Sequence, residues 1–257
     1  MTLGDGGRTC ATTGLRLIPV ANDEMFRIAP LRYDPLSAPE RADEEQREQW
    51  GRFDSPGFTL YTAQTRETAY AEVLSQFKRQ LGGVDPLGAD AAALGITRDE
   101  FLEEVADQWA ASGFMGIGAV PASWRHDRGL FVVNPVGGGW WIDIDHPDTI
   151  SRLEVALEAL LVDEGISALT TAVLEGENRR VTTAVGNLLR RVKLDDGTTA
   201  RGLQFRSKHG GAWCRAIWLP EPTDTWGADL TALSPERILA TDEALAKACE
   251  RFRIKVF

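Results

Sequence analysis

Residues 50–63 read WGRFDSPGFTLYTA, and this stretch does most to decide the fold. Aromatic and β-branched residues, which favour extended backbone, flank Asp54-Ser55-Pro56-Gly57, where proline and glycine suit a tight reversal. We therefore predict short strands over residues 50–53 and 58–63, joined by this turn. Thr65 follows at once and can cap the start of a helix.

A helix is predicted from Thr65 to the glycine pair at 82–83. Its apolar residues recur at helical spacing and form one stripe: Tyr70, Val73, Leu74, Phe77 and Leu81. Glu72 lies well away from this stripe. From its position alone, Glu72 is an exposed helix carboxylate.

The rest of the chain interleaves strands and helices without a regular βαβ rhythm. Residues 1–14 are expected to form a loose end and residues 34–49 a solvated loop or short helix. Further strands are predicted over 129–136, 140–145, 203–207, 213–219 and 254–257, with further helices over 148–165 and 178–192 and from 234. The glycines at 137–139 are expected to turn a hairpin, and Asp148 and Asn178 to cap helices. These features predict an α+β fold with a mixed or antiparallel sheet.

Residues 82–127 are predicted to form a helical insertion in a single domain of 257 residues. A Gly/Ala/Asp/Pro-rich linker is followed by Thr97-x-x-Glu100, the pattern of a capping box, and then by apolar residues ending in Trp109. A helix with such a stripe must bury it. We expect it to pack on the body of the domain or to form a homodimer contact.

The bulk composition excludes several classes of protein. No window approaches the roughly 18 apolar residues that cross a bilayer, and no basic-then-apolar leader begins the chain, so we expect a cytoplasmic protein. Three widely spaced cysteines fit neither a disulfide framework nor a metal site. The net charge of −10 argues against nucleic-acid binding, because that affinity depends on basic surface. An anionic ligand would need local arginines.

Four features taken together resemble the RES domain, a family named for its Arg, Glu and Ser. They are Arg27 after Met25-Phe26, the Gly-Arg-aromatic-x-x-Pro-Gly pattern of residues 51–57, Glu72, and Ser207 at the end of GLQFRS, residues 202–207. The resemblance covers about residues 24–81 and 128–220. Trp50 and Lys208 stand where the family often has glycine and arginine.

This resemblance implies an ADP-ribosyltransferase-like fold that cleaves NAD+ at the nicotinamide–ribose bond, by hydrolysis or phosphorolysis. It also implies the toxin of a toxin–antitoxin pair, with a separately encoded Xre-like antitoxin and no metal. Glu72 and Arg27 would be catalytic, with Glu72 facing the positive charge that develops on the ribose. Arg27 and Arg52 would grip phosphate or ribose, Tyr61 would stack on nicotinamide while its hydroxyl bonds phosphate or backbone, and Ser207 would donate a hydrogen bond.

Several alternatives stay open from the residues themselves. Arg27 also fits a surface arginine or a structural ion pair, and Tyr61 also fits a core tyrosine. The same site could transfer ADP-ribose to an acceptor, or the chain could be an inactive module that binds a partner. A metal site around Asp143-x-Asp145-His146 is disfavoured, because loop charges before a helix explain these residues better.

Overall fold

The computed structural model describes residues 6–78, 86–112, 118–220 and 229–257. The strands are β1 (Arg8–Thr9), β2 (Arg16–Pro19), β3 (Met25–Pro30), β4 (Glu40–Arg41), β5 (Gly57–Ala63), β6 (Ala119–Val120), β7 (Arg128–Pro135), β8 (Trp140–Asp143), β9 (Gly202–Arg206), β10 (Trp213–Leu219), β11 (Leu230–Ala232), β12 (Glu236–Arg237) and β13 (Lys255–Val256). The helices are α1 (Arg66–Leu74), α2 (Pro86–Leu94), α3 (Arg98–Ser112), α4 (Ala122–His126), α5 (Pro147–Ala156), α6 (Glu158–Asp163), α7 (Thr171–Glu175), α8 (Arg179–Arg191) and α9 (Glu243–Phe252). The predicted α+β class is confirmed.

The chain divides by its internal contacts into two compact units. The expected single domain with a helical insertion stays a prediction. The first unit comprises Met1–Met25, Leu36–Gln64 and Val133–Ala232. The second comprises Phe26–Pro35, Thr65–Val132 and Leu233–Phe257. Each unit contains both strands and helices.

The first unit is built on strands in the order β1-β2-β8-β9-β10-β5. All of these neighbours are antiparallel except β8 and β9, which run parallel. The register places Ala216 of β10 between Tyr61 of β5 and Leu203 of β9. Helix α8 contributes Val181, Val185 and Leu189, which are fully buried and recur at helical spacing.

The second unit has a core formed mainly by α1 and α9. The buried members of this core are Tyr70, Ala71, Leu74, Val120, Trp124, Leu130, Ile238, Leu245, Ala248, Cys249, Phe252 and Ile254. The Tyr70 hydroxyl donates to Asp242 at 3.0 Å, and Asp242 in turn caps α9 by accepting from the Ala244 and Leu245 amides. One carboxylate therefore both starts α9 and ties it to α1.

Several local predictions are confirmed. Thr65 caps α1 by accepting from the Thr68 amide, and Asn178 caps α8. Thr97 and Glu100 form the expected capping box at the start of α3, with reciprocal bonds of 2.7 and 3.2 Å. Helix α3 packs against α4, which also belongs to the predicted insertion, and buries Leu102. The expected packing of the insertion on the body of the domain stays a prediction. The first predicted helix is shorter than expected, because α1 ends at Leu74, a 3-10 turn follows over Ser75–Phe77 and Lys78 is extended. Residues 79–85 lie outside the described residues.

Other predicted elements also differ from the structure. Residues 50–53 form a turn and no strand, because the Gly51 and Phe53 amides bond to side chains. The glycines at 137–139 make no hairpin, since β8 pairs with β2 and β9. Residues 234–236 open no helix, because Glu236 belongs to β12 and α9 begins after Asp242. His146, not Asp148, caps α5: its ring nitrogen accepts from the Asp148 amide.

The expected loose end over residues 1–14 is wrong for residues 8–14. Arg8 and Thr9 pair with β2, and Cys10 is buried. The Arg8 guanidinium grips Asp195 through two bonds of 2.5 Å, which explains the order of this segment. Within the described ranges, none of the helices combines the length and apolar composition needed to cross a membrane.

Gly202 leads to a test of the packing between β9 and β10. A Cβ added at Gly202 would lie 2.2 Å from the Ala216 carbonyl oxygen, which is main chain and cannot turn aside. We expect Gly202→Ala to lower the free energy of unfolding by about 1–3 kcal/mol, measured by urea denaturation. Gly138→Ala is the matched control, because nothing stands within 4 Å of that Cβ. Equal stabilities of the two variants would contradict the packing described.

Candidate active site

Arg52 lies in the turn formed by residues 51–57, the 51–57 turn, which is closed by the buried carboxylate of Asp54. Asp54, only 3% exposed, accepts from the Gly51 amide at 2.9 Å and from Arg41 Nε at 2.9 Å. The Phe53 amide donates to the Tyr61 hydroxyl at 3.0 Å. These bonds take the amides that a strand would use for pairing, and so residues 50–53 form a turn.

Glycine is required at two positions of this turn. A Cβ at Gly51 would lie 2.6 Å from the Tyr61 hydroxyl oxygen and 2.8 Å from an Asp54 carboxylate oxygen. Gly57 has φ of 93°, a backbone conformation that other residues rarely adopt. Both glycines of the Gly-Arg-aromatic-x-x-Pro-Gly pattern are therefore required by the structure, Gly51 by lack of space for a side chain and Gly57 by its backbone conformation.

Arg52 is held as a buried cation on aromatic rings. It is 8% exposed, and its guanidinium carbon lies 4.9 Å from the centroid of the Phe205 ring and 5.6 Å from that of Phe53. Its Nη1 is buried and has no hydrogen-bond partner among the residues that the structure describes. A buried donor without an acceptor costs about 1–3 kcal/mol, which an anionic oxygen of a ligand would remove.

Tyr61 completes this cluster. Its ring meets the edge of Phe205 at 6.5 Å, and its hydroxyl bonds the Phe53 backbone. Burial, and then the neighbouring Asp54 carboxylate, raise the pKa of the Tyr61 phenol well above its usual value of 10, so the phenol stays neutral. Of the two roles expected for the hydroxyl, the structure provides the bond to backbone.

Ser207 lies in the tight turn between β9 and β10 and is 3% exposed. Its hydroxyl oxygen accepts from the His209 amide at 3.1 Å and from the Gly210 amide at 2.8 Å. These bonds fix the turn just after Phe205, the ring beneath Arg52. The expected hydrogen bond from Ser207 to a ligand stays a prediction.

Arg27 and Glu72 lie in the second unit. Arg27 is on β3, where its neighbours Phe26 and Ile28 pack against the core of that unit, so that Arg27 points to the opposite side. Burial lowers the pKa of Arg27 to about 10, with Asp34 acting in the opposite direction. Glu72 is half-buried on α1, where the sequence position alone indicated full exposure.

The structure brings part of the predicted site together. Arg52 and Tyr61 share the Phe205 ring, and Ser207 follows the strand that carries this ring. Arg27 and Glu72 lie on two elements that share the core of the second unit. A single site made of all five residues stays a prediction.

Sequence reasoning missed Phe205 and the structural role of Asp54. Phe205 could have been found, because every second residue of a strand lies on the same face. In the predicted strand over 203–207, Phe205 therefore shares a face with Leu203 and Ser207. The sequence indicates Asp54 only as a turn residue, yet in the structure its carboxylate is the acceptor that closes the turn.

A cavity of about 320 Å³ opens at the N-terminal end of α8. It is lined by Arg47, Glu48, Glu177, Asn178, Arg179 and Arg180. None of the five predicted site residues lines it. In the described part of the chain, no group of three or more His, Cys, Asp or Glu is arranged to hold a metal ion.

We expect Tyr61→Phe to lower the free energy of unfolding by about 1–3 kcal/mol at neutral pH, because a buried amide loses its acceptor. Tyr33→Phe is the matched control, since Tyr33 is 54% exposed. Chemical denaturation of both variants measures the difference. Because its folded pKa is raised, the Tyr61 phenol contributes stability that is present below pH 10 and declines above it. No difference between the variants would show that the hydroxyl does not close the turn.

Residues 24–129 match the family model of the RES domain. This range contains Arg27, Arg52, Tyr61 and Glu72 and ends before Ser207. Among curated proteins, none matches the chain significantly. The crystal structure of the M. tuberculosis MbcT–MbcA toxin–antitoxin complex contains a similar chain, with 14% identity and a TM-score of 0.45 over 91% of this chain and 90% of that one. The resemblance to the RES domain is thus confirmed over residues 24–129.

Proposed function

We propose that this protein cleaves NAD+ at the nicotinamide–ribose bond, and that it is the toxin of a toxin–antitoxin pair. The observation that carries the proposal is the match of residues 24–129 to the RES domain, because this range holds four of the five site residues. The buried Arg52 gives independent support, since it offers a desolvated cation to an anionic ligand. A dinucleotide carries such anionic oxygens in its pyrophosphate.

The proposed reaction needs no strong general acid. As the bond between the ribose carbon and the nicotinamide nitrogen breaks, the electron pair goes to a ring that is already cationic, and neutral nicotinamide leaves. Positive charge develops on the ribose, and the Glu72 carboxylate stabilises it. Water or phosphate then forms the new bond to the same carbon, and a proton is released when water is the acceptor.

The remaining residues bind and orient the substrate. Arg52 and Arg27 hold phosphate or ribose oxygens through charge-assisted bonds, and Tyr61 offers its ring to nicotinamide. Holding the ribose against a fixed carboxylate is the orientation effect that supplies much of the rate in such reactions. The natural setting is the cytoplasm, and the partner is an Xre-like antitoxin that blocks the site.

The direct test follows nicotinamide release from NAD+ by the pure protein, with and without phosphate. Glu72→Gln should retain the fold and lower turnover by about 10²–10⁴-fold, because the charge facing the ribose is lost. Glu104→Gln is the matched control, an exposed carboxylate on α3 whose loss should leave turnover unchanged. Full activity in Glu72→Gln would reject the catalytic role.

The same assay separates the competing functions. Dependence on phosphate indicates phosphorolysis, and release without phosphate indicates hydrolysis. Transfer of labelled ADP-ribose to an acceptor would replace the proposal with an ADP-ribosyltransferase. A wild-type protein that neither binds nor cleaves NAD+ would leave the inactive partner-binding module.

The toxin proposal is tested in growing cells. Expression of the wild-type chain should stop growth and deplete NAD+, while Glu72→Gln at equal protein level should be tolerated, because the harm comes from turnover. Growth curves and NAD+ concentrations in cell extracts measure both effects. Normal growth with full NAD+ pools under strong wild-type expression would contradict the toxin role.

A further inference from the structure

One face of α8 holds the segment that carries Arg52. Arg179 Nε donates to the Trp50 carbonyl at 2.9 Å, and Thr183 Oγ1 accepts from Arg47 at 3.1 Å. The contacting positions on α8 are Arg179, Thr183, Gly186 and Arg190, which recur every three or four residues. This spacing places all of them on one side of the helix.

Arg190 binds the C-terminal part of the same turn. Its Nη1 donates to the Ser55 hydroxyl at 3.1 Å and to the Pro56 carbonyl at 2.8 Å, while Nη2 donates to the Leu219 carbonyl of β10 at 2.9 Å. A planar guanidinium presents these donors in a fixed fork, which a lysine ammonium does not reproduce. Arg190 therefore ties the turn to α8 and to the central sheet of the first unit.

Gly186 sets how closely the turn approaches the helix. A Cβ at Gly186 would lie 2.6 Å from the Phe53 carbonyl oxygen, a main-chain atom. The backbone on the C-terminal side of Arg52 thus rests directly on α8. On the N-terminal side, the Trp50 carbonyl is held by Arg179.

Arg52 consequently has its backbone fixed on both sides. This fixation holds its guanidinium over Phe205 before any ligand arrives. An arginine that is already in place loses little further conformational entropy when it binds an anion. The contacts made by Arg179, Gly186 and Arg190 should therefore strengthen binding without touching the ligand.

We infer that Arg190 is a positioning residue, which acts through the 51–57 turn to hold Arg52 ready for the phosphates of the dinucleotide. This inference rests on the proposed function. Gly186 acts in the same way through close packing. Neither residue takes part in the chemical step, so the inference predicts an effect on substrate binding and not on turnover.

The test uses two adjacent arginines of α8. Arg190→Gln removes the grip on the turn, and Arg191→Gln is the matched control, because Arg191 is exposed. In Arg190→Gln, KM for NAD+ should rise about 10–100-fold while kcat changes less than about 2-fold, since a displaced Arg52 weakens binding. Arg191→Gln should match wild type, and Arg190→Lys should recover only part of the loss.

Amide hydrogen exchange provides the readout that does not depend on activity. The Gly51 and Phe53 amides should exchange about 10-fold faster in Arg190→Gln than in Arg191→Gln, because the turn opens more often. If Arg190→Gln fails to fold, Gly186→Ala replaces it, since that variant keeps every hydrogen-bond donor and displaces the backbone of Phe53 and Asp54. It should show the same rise in KM.

The outcomes are distinct. Unchanged exchange at Gly51 and Phe53, or faster exchange with an unchanged KM, would overturn the positioning role while leaving the proposed function intact. A fall in kcat with KM unchanged would overturn it as well. A wild-type protein that neither binds nor cleaves NAD+ would instead reject the proposed function itself.

Discussion

The buried carboxylate of Asp54 is the constraint on which the candidate site depends. A charge removed from water must be compensated by hydrogen bonds and an opposite charge. Here the Gly51 amide and the Arg41 guanidinium provide both at 2.9 Å, and the Tyr61 phenol stands beside the carboxylate. These contacts decide the path of the backbone, because the Gly51 amide bonded to Asp54 cannot also pair with a neighbouring strand.

The path of this turn explains the placement of Arg52. The chain leaves the sheet before residue 50 and returns only at Gly57, so Arg52 lies outside regular pairing and rests on Phe205. A guanidinium held over a ring is partly stabilised without a carboxylate, and Nη1 of Arg52 has no hydrogen-bond partner among the described residues. Three arginines serve the turn differently: Arg41 neutralises Asp54, Arg190 grips the backbone, and Arg52 offers a donor.

Local elements of the fold could be predicted from the sequence, and long-range pairings could not. The caps at Thr65, Thr97 and Asn178 follow from residue type and spacing within four residues. The neighbours of β8 are remote in sequence, so the glycines at 137–139 could only suggest a hairpin that does not form. The order of Arg8 likewise depends on Asp195, far along the chain.

The candidate site, too, could be predicted from the sequence only in part. The resemblance could indicate Arg27, Arg52, Tyr61, Glu72 and Ser207, yet the arginines of α8 are typical of a solvent-facing helix side when only the sequence is available. Their role depends on the carbonyl groups of a turn more than 120 residues away, which periodicity cannot show.

Burial of arginine also bears on how an acidic chain could bind the anionic substrate that we propose. With a net charge of −10, the surface as a whole repels an anion, so binding of the proposed dinucleotide would depend on local cations such as the buried Arg52. Burial lowers the pKa of Arg27 to about 10, which still leaves the guanidinium protonated at neutral pH. A cation in a low-dielectric setting acts more strongly at short range than one at the surface. Local burial of arginine can therefore outweigh a repulsive net charge that salt screens at longer distances.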